Sequence, residues 1–189
     1  ETIDSNYIMV GSGYTIGRFD SLKMWVAKKN SKGKTLWSKF YGGSKNDIGI
    51  TSIETKEGDY IIVGKSSSVD GDLYGKKLGY TWLLKLDQNG NIIWSKYFGG
   101  TRTDYISSII TTIDGGFLAV GSSNSRESVS SNRDMDLWVL KFNSEFSIEW
   151  EKKIGNSKEE EAISVLQTSN GDYLIASKSN GKFKDNSKV

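Results

Sequence analysis

LDQNGNIIWSKYFGG, residues 86–100, is the phrase on which the chain is built. It recurs upstream as KNSKGKTLWSKFYGG (29–43) and downstream as FNSEFSIEWEKKIGN (142–156). The central tryptophans, Trp37, Trp94 and Trp150, lie 57 and then 56 residues apart. A fixed period of this length marks a repeat architecture, and the repeat has to be resolved before secondary structure is assigned.

Alignment on the tryptophans gives four short apolar runs per repeat. Run a alternates in character and is rich in Ile and Thr: IGITSIET (48–55), YISSIITT (105–112) and EAISVLQT (161–168). Period-two alternation of this composition predicts strand. Each copy ends in Thr and a turn, KEGD, IDGG or SNGD, whose Gly and Asn accept the positive φ of tight hairpins. Residues 1–3 read as the end of an earlier copy. Run b follows at once as YIMVG (7–11), YIIVG (60–64), FLAVG (117–121) and YLIAS (173–177). Its continuous apolar character predicts a strand buried on both faces. Run c is WVAK (25–28), WLLKL (82–86) and WVLKF (138–142), and run d carries the second tryptophan of each repeat. No segment shows a period of 3.6, so no helix is expected. Four antiparallel strands in a unit of just over 50 residues predict an all-β fold, a β-propeller of four-stranded blades with a little over three blades present. The repeat units run over about 4–57, 58–114 and 115–170, with a partial unit at 171–189. Evenly spaced tryptophans suit packing between blades.

Composition narrows the chemistry. The 189 residues hold no Cys, His or Pro, and the net charge is +2 with both signs dispersed. The common zinc, copper and haem ligand sets are therefore missing, as are Ser–His and Cys–His nucleophile pairs. No basic block suggests nucleic acid, and no apolar run approaches the roughly 20 residues of a membrane span. The opening ETIDSNYIMVG has no signal-peptide character and starts in mid-repeat.

The run LDQNGNIIWSKYFGG resembles the tryptophan-docking repeat of PQQ-type β-propellers, with Asp87, Gly90, Trp94 and Gly99 at the recurring Asp, turn Gly, Trp and Gly. With its DGG-aromatic turn, VG(S) strand end and W(V/L)xK strand, the whole unit looks like propeller repeats of bacterial extracytoplasmic proteins and lipoproteins. The resemblance implies an extracytoplasmic protein, secreted, at the cell surface or lipid-anchored, completed by further blades of its own or of other copies. The third copy departs from the pattern: Phe146 stands at the turn glycine and Asn156 at the second Gly of GG. Quinoprotein dehydrogenases of this fold use a larger ring, some with a vicinal cysteine pair, so the quinone cofactor is not expected.

Candidate binding residues sit in the loops. If strands alternate in direction, the short a–b and c–d turns share one face, and the long b–c loops (12–24, 65–81 and 122–137) share the other with the d–a loops. The d–a loops repeat a charge pattern: Lys45 with Asp47, Arg102 with Asp104, Lys158 with Glu160. With run a innermost, Asp47, Asp104 and Glu160 would ring a channel mouth and take a cation or polar ligand. The alternative is that each acid caps the neighbouring loop by accepting backbone N–H groups. The loop VDGDLYG (69–75) breaks the symmetry, and its Asp70 and Asp72 offer oxygens to calcium, without the full twelve-residue calcium loop. Tyr74 and Tyr80, with Tyr14 and Phe19, could stack on a carbohydrate or a peptide. Arg126, Arg133, Asp134 and Asp136 read as a solvated loop tip. The reading that follows is a noncatalytic ligand-binding or protein-interaction module. The alternatives are a carboxylate hydrolase or lyase at the channel mouth and a purely structural repeat.

Overall fold

The structure is a computed structural model that describes residues 1–15, 20–73, 81–100, 102–125, 134–155 and 159–180. Among these residues there is no α-helix, and one 3-10 turn spans Gly71–Leu73. Thirteen strands follow the b, c, d, a order read from the sequence. They are β1 (Tyr7–Gly13), β2 (Lys23–Lys29), β3 (Thr35–Tyr41), β4 (Asp47–Glu54), β5 (Tyr60–Ser66), β6 (Thr81–Leu86) and β7 (Ile92–Phe98). After them come β8 (Asp104–Thr111), β9 (Phe117–Ser123), β10 (Asp136–Phe142), β11 (Ile148–Ile154), β12 (Glu160–Gln167) and β13 (Tyr173–Ser179). All pairings are antiparallel between sequence neighbours, giving sheets β1-β2-β3, β4-β5-β6-β7, β8-β9-β10-β11 and β12-β13.

The chain forms two compact units, Glu1–Phe98 and Gly99–Val189. In the first, β4 packs against β1 and β2. The core between the two sheets contains Met24, Val26, Tyr60, Ile62, Trp82 and Leu84. In the second, β12 packs against β8, β9 and β10 over Leu118, Val120, Val139, Ala162 and Val165. The middle strands β5, β9 and β10 are covered on both faces, which is why runs b and c carry apolar residues at consecutive positions instead of alternating.

The same sheet-to-sheet step occurs in both units, tied at four matching places. The N–H of Asp47 donates to Leu22 O (2.9 Å), and that of Glu160 to Met135 O (2.6 Å). Ser12 Oγ accepts from Gly49 N (3.2 Å), and Ser122 Oγ from Ala162 N (3.3 Å). Ile3 N donates to Glu54 Oε2 (2.6 Å), and Ile113 N to Gln167 Oε1 (2.8 Å). Trp37 meets Tyr60 at 6.5 Å and 50°, and Trp150 meets Tyr173 at 6.4 Å and 52°.

The tryptophans divide into two roles. Those of strand c donate sideways to strand d of their own sheet: Trp25 to Ser38 Oγ, Trp82 to Ser95 Oγ and Trp138 to Glu151 Oε1. Trp37 of strand d instead reaches the next sheet, donating to Gln88 O at 2.9 Å while its ring lies against Gly90. A Cβ at Gly90 would stand 3.0 Å from that ring, and φ there is 74°, so glycine serves both the turn and the docking. Phe146 holds the matching turn position in the third copy with φ 56°. It is buried, stacked on Phe117 at 4.1 Å and tilted against Phe142 at 5.7 Å. The aromatic cluster offsets the left-handed backbone that a non-glycine residue resists.

Candidate functional site

The repeated acids begin strands β4, β8 and β12, and the structure places all three in the interior: Asp47 is 0%, Asp104 1% and Glu160 2% exposed. Asp47 accepts from Gly43 N at 2.9 Å, from Ser68 Oγ at 3.0 Å and, through a short bond, from Ser66 Oγ. Asp104 accepts from Gly100 N at 2.6 Å, from Ser125 Oγ at 2.7 Å and from Ser123 Oγ. Glu160 accepts from Ser179 Oγ at 3.1 Å. Each acid thus links the d–a loop to the end of strand b in its own sheet. The main chain reinforces the latch: Ser67 N bonds Asn46 O, Asn124 N bonds Thr103 O, and Asn180 N bonds Glu159 O. This is the loop-capping arrangement. The carboxylates of Asp47 and Asp104 point into the protein, not toward an open mouth.

Glycine is required beside the latch. Gly42 has φ 139° and Gly99 φ 121°, and a Cβ at Gly42 would overlap the carboxylate of Asp47. At Gly99 it would lie 2.8 Å from Asp104 Oδ2. The GG that follows strand d therefore leaves room for the acid four residues after its second member. In the third copy a Cβ on Gly155 would overlap Asp136 Oδ1 and lie 2.8 Å from Glu160 Oε2, so both carboxylates crowd the glycine. Asp136 is itself fully buried at the start of β10, which corrects its expected place on a solvated tip. Strand c begins two residues before the tryptophan that opens run c, which places Asp136 at the head of β10 and not in the loop.

The basic partners behave differently from the acids. Lys45 is exposed, and it and Arg102 enter the latch through their main-chain N–H groups, which donate to Ser68 Oγ (2.9 Å) and Ser125 Oγ (3.4 Å). Lys23 supplies the local positive charge that the sequence did not single out. Its Nζ lies 3.8 Å from Asp47 Oδ2 and donates to Ser21 Oγ and the carbonyls of Gly43 and Lys45. Burial pushes the Tyr97 hydroxyl up to about 12, with the Asp47 carboxylate adding to the shift. Lys158, Tyr74, Tyr80, Phe19, Arg126 and Arg133 lie outside the described residues.

Asp70 and Asp72 staple their b–c loop to the d–a loop: Asp70 Oδ1 accepts from Ser44 N at 2.6 Å, and Asp72 Oδ2 from Gly42 N at 2.8 Å. The Ser44 N–H holds the Asp70 carboxyl below its ordinary range. Among the described residues no group of three or more acidic side chains is gathered as a metal site would need.

A second latch lies at the opposite end of the strands, where the lysine of each strand c binds the a–b turn. Lys28 Nζ is 2.6 Å from Asp4, Lys85 is 3.0 Å from Asp59, and Lys141 is 2.9 Å from Asp114 and 3.0 Å from Glu149. Bonds from Thr112 and Lys141 lower Asp114 to about 2. Lys28 and Lys141 are raised by their acidic partners despite burial, which acts the other way. Asp4, Glu57, Asp70, Asp87 and Asp114 are all moved downward, the direction of paired structural acids.

The latch serines were the residues that sequence reasoning missed. Ser66 with Ser68 and Ser123 with Ser125 recur two residues apart where strand b ends, in register with the acids.

No helix among the described residues is long and apolar enough to cross a membrane. No protein-family model and no curated protein matches the chain. Among solved structures it is similar to the crystal structure of a protein of unknown function from Bacteroides caccae, at 12% identity and a TM-score of 0.48, over 91% of this chain and 65% of that one.

Proposed function

We propose that the sheets are blades of a β-propeller and that the protein is a noncatalytic binding or protein-interaction module working outside the cytoplasm. The observation that carries the architecture is the recurrence of the same four ties between successive sheets in both units. A step repeated without change between neighbours is the construction rule of a radial repeat. Docking of Trp37 on the Gly90 turn fits the resemblance to PQQ-like repeats. The binding assignment follows from where the polar groups are used. The repeated acids hold loops in place, while residues such as Tyr14 and Val69 stand exposed at the described edges of the b–c loops. Rigid sheets that present variable loops are a common design for recognition.

The test is to probe glycan and peptide arrays with the chain and its Tyr14→Ser and Val69→Ser variants. A ligand class retained by the chain and weakened by these changes supports the reading. Turnover of an array substrate, or binding abolished by Asp47→Asn with the fold intact, overturns it in favour of chemistry at the buried acids.

A further inference from the structure

Asn89–Gly90 is a chemically reactive pair held in the c–d turn of the second sheet. Glycine has no Cβ to shield its nitrogen, so an Asn–Gly step closes to a cyclic imide more readily than other asparagine steps. Asn89 is exposed, while Gly90 is buried. Other asparagines have their carboxamides engaged. Asn30 Oδ1 and Asn143 Oδ1 each accept two main-chain N–H groups, Asn46 Oδ1 accepts from Leu22 N, and Asn124 Oδ1 from Thr103 N. In the same turn, Asn91 Nδ2 donates to Asp87 Oδ2 at 2.9 Å, and Asn91 Oδ1 accepts from Lys39 Nζ at 2.9 Å. Asn89 is held through its main-chain N–H, which donates to Asp87 Oδ1 at 2.9 Å.

What restrains the pair is the nucleophile. Gly90 N donates to Asp87 O at 3.0 Å, inside a turn closed by Asp87 N to Asn91 O at 2.9 Å. The neighbouring strand β3 clamps that turn from outside its own sheet. Trp37 Nε1 donates to Gln88 O at 2.9 Å, and Gly90 O accepts from Lys39 Nζ at 3.0 Å and from the Tyr41 hydroxyl at 2.6 Å. For Gly90 N to reach Asn89 Cγ it must leave Asp87 O and turn about its own backbone, against the Trp37 ring. The guard thus belongs to one sheet and the reactive step to the next.

We infer that Asn89 is a modification site, an intramolecular deamidation gated by the docking of β3 on the turn. Gly90 N loses its proton to water or hydroxide and attacks Asn89 Cγ. The new bond is N–Cγ, the bond that breaks is Cγ–Nδ2, and ammonia leaves. Water then opens the imide. Addition at Cγ gives aspartate on the original main chain. Addition at the main-chain carbonyl gives isoaspartate, with Cβ and Cγ now in the backbone. That longer backbone cannot keep the bonds of Gly90 N and Asp87 N together, so the seat of Trp37 is lost and the change is one-way.

The test incubates the whole chain in mildly alkaline buffer and follows the tryptic peptide 86–96 by chromatography and mass spectrometry, beside the free synthetic peptide LDQNGNIIWSK. The folded chain should convert at least about tenfold more slowly than the peptide, and Trp37→Ala should remove most of that protection. Tyr41→Phe keeps the ring and removes one bond to Gly90 O, so it should speed conversion by about three- to fivefold, and it decides alone should Trp37→Ala unfold. Asn89→Gln should abolish the mass change. Conversion in the folded chain as fast as in the peptide, or a rate that neither variant raises, overturns the gating. Absence of conversion in both variants once the free peptide is spent overturns the site.

Discussion

Asp104→Ala tests the latch at its most complete. The carboxylate accepts three bonds, from Gly100 N, Ser123 Oγ and Ser125 Oγ, at a site 1% exposed. Removing it leaves one N–H and two buried hydroxyls to find other acceptors. A hydrogen bond to a charged group contributes roughly 1.5–3 kcal/mol, and a buried polar group left unpaired costs about 1–3 kcal/mol. Against this, the variant no longer has to desolvate a carboxylate, which recovers several kcal/mol. The balance is a loss of about 3 kcal/mol, the magnitude typical of a broken buried network. For a chain of this size that lowers the melting temperature by about 6–12 °C. Urea unfolding followed by tryptophan fluorescence reads the change, and hydrogen exchange should rise first at Gly100 and Ser125. A loss below about 1 kcal/mol at unchanged m-value would refute the latch and return Asp104 to the list of ligand-binding residues.

Other outcomes follow from the same geometry. Gly42→Ala should cost at least about 2 kcal/mol, because φ 139° and the Asp47 carboxylate both oppose a Cβ. The double variant Gly42→Ala/Asp47→Ala should cost less than the sum of the singles, which a double-mutant cycle in urea measures. Phe146→Gly relieves a left-handed residue but removes a buried ring stacked on Phe117, so a net loss of about 2–4 kcal/mol is expected by calorimetry. The Asp114–Lys141 pair sets an acid limit. Asp114 falls from 3.8 to about 2, so its contribution is present above pH 4 and is lost as pH falls toward 2. Asp114→Asn should flatten stability over that window. The amplitude is modest, because more than half of the Asp114 side chain faces solvent.

The fold was legible because the repeat states each strand three or four times. Run b announced burial on both faces through YIIVG and FLAVG, and β5 and β9 are buried throughout or nearly so. Turn positions were equally plain, since Gly58, Gly90, Gly115 and Gly171 all have the positive φ that their motifs imply. The direction in which a carboxylate points was harder to read. Asp47 stands in a polar, charged loop, and only the hydroxyls of Ser66 and Ser68, some 20 residues later in the chain, turn it inward. Serine is too common to attract notice alone, and the spacing of the pair becomes informative only once strand b is known to end beside the acid. Lys23 escaped notice for a related reason. Two of its contacts are with carbonyls, which leave no mark on a sequence.

The turn at residues 2–6 carries a consequence for how the molecule folds. Thr2 N bonds Asn6 O at 2.8 Å and Ser5 N bonds Thr2 O at 2.9 Å, the pattern found at Thr55–Asp59 and Thr112–Gly116. Ser5 even adopts φ 58° where the other copies use glycine. A turn closed by bonds within five consecutive residues needs no distant partner. Hairpins of this size form in roughly microseconds, well before sheets can find one another. Each repeat can therefore fold outward from its own turns, and docking of tryptophan on the neighbouring sheet becomes the later, slower event.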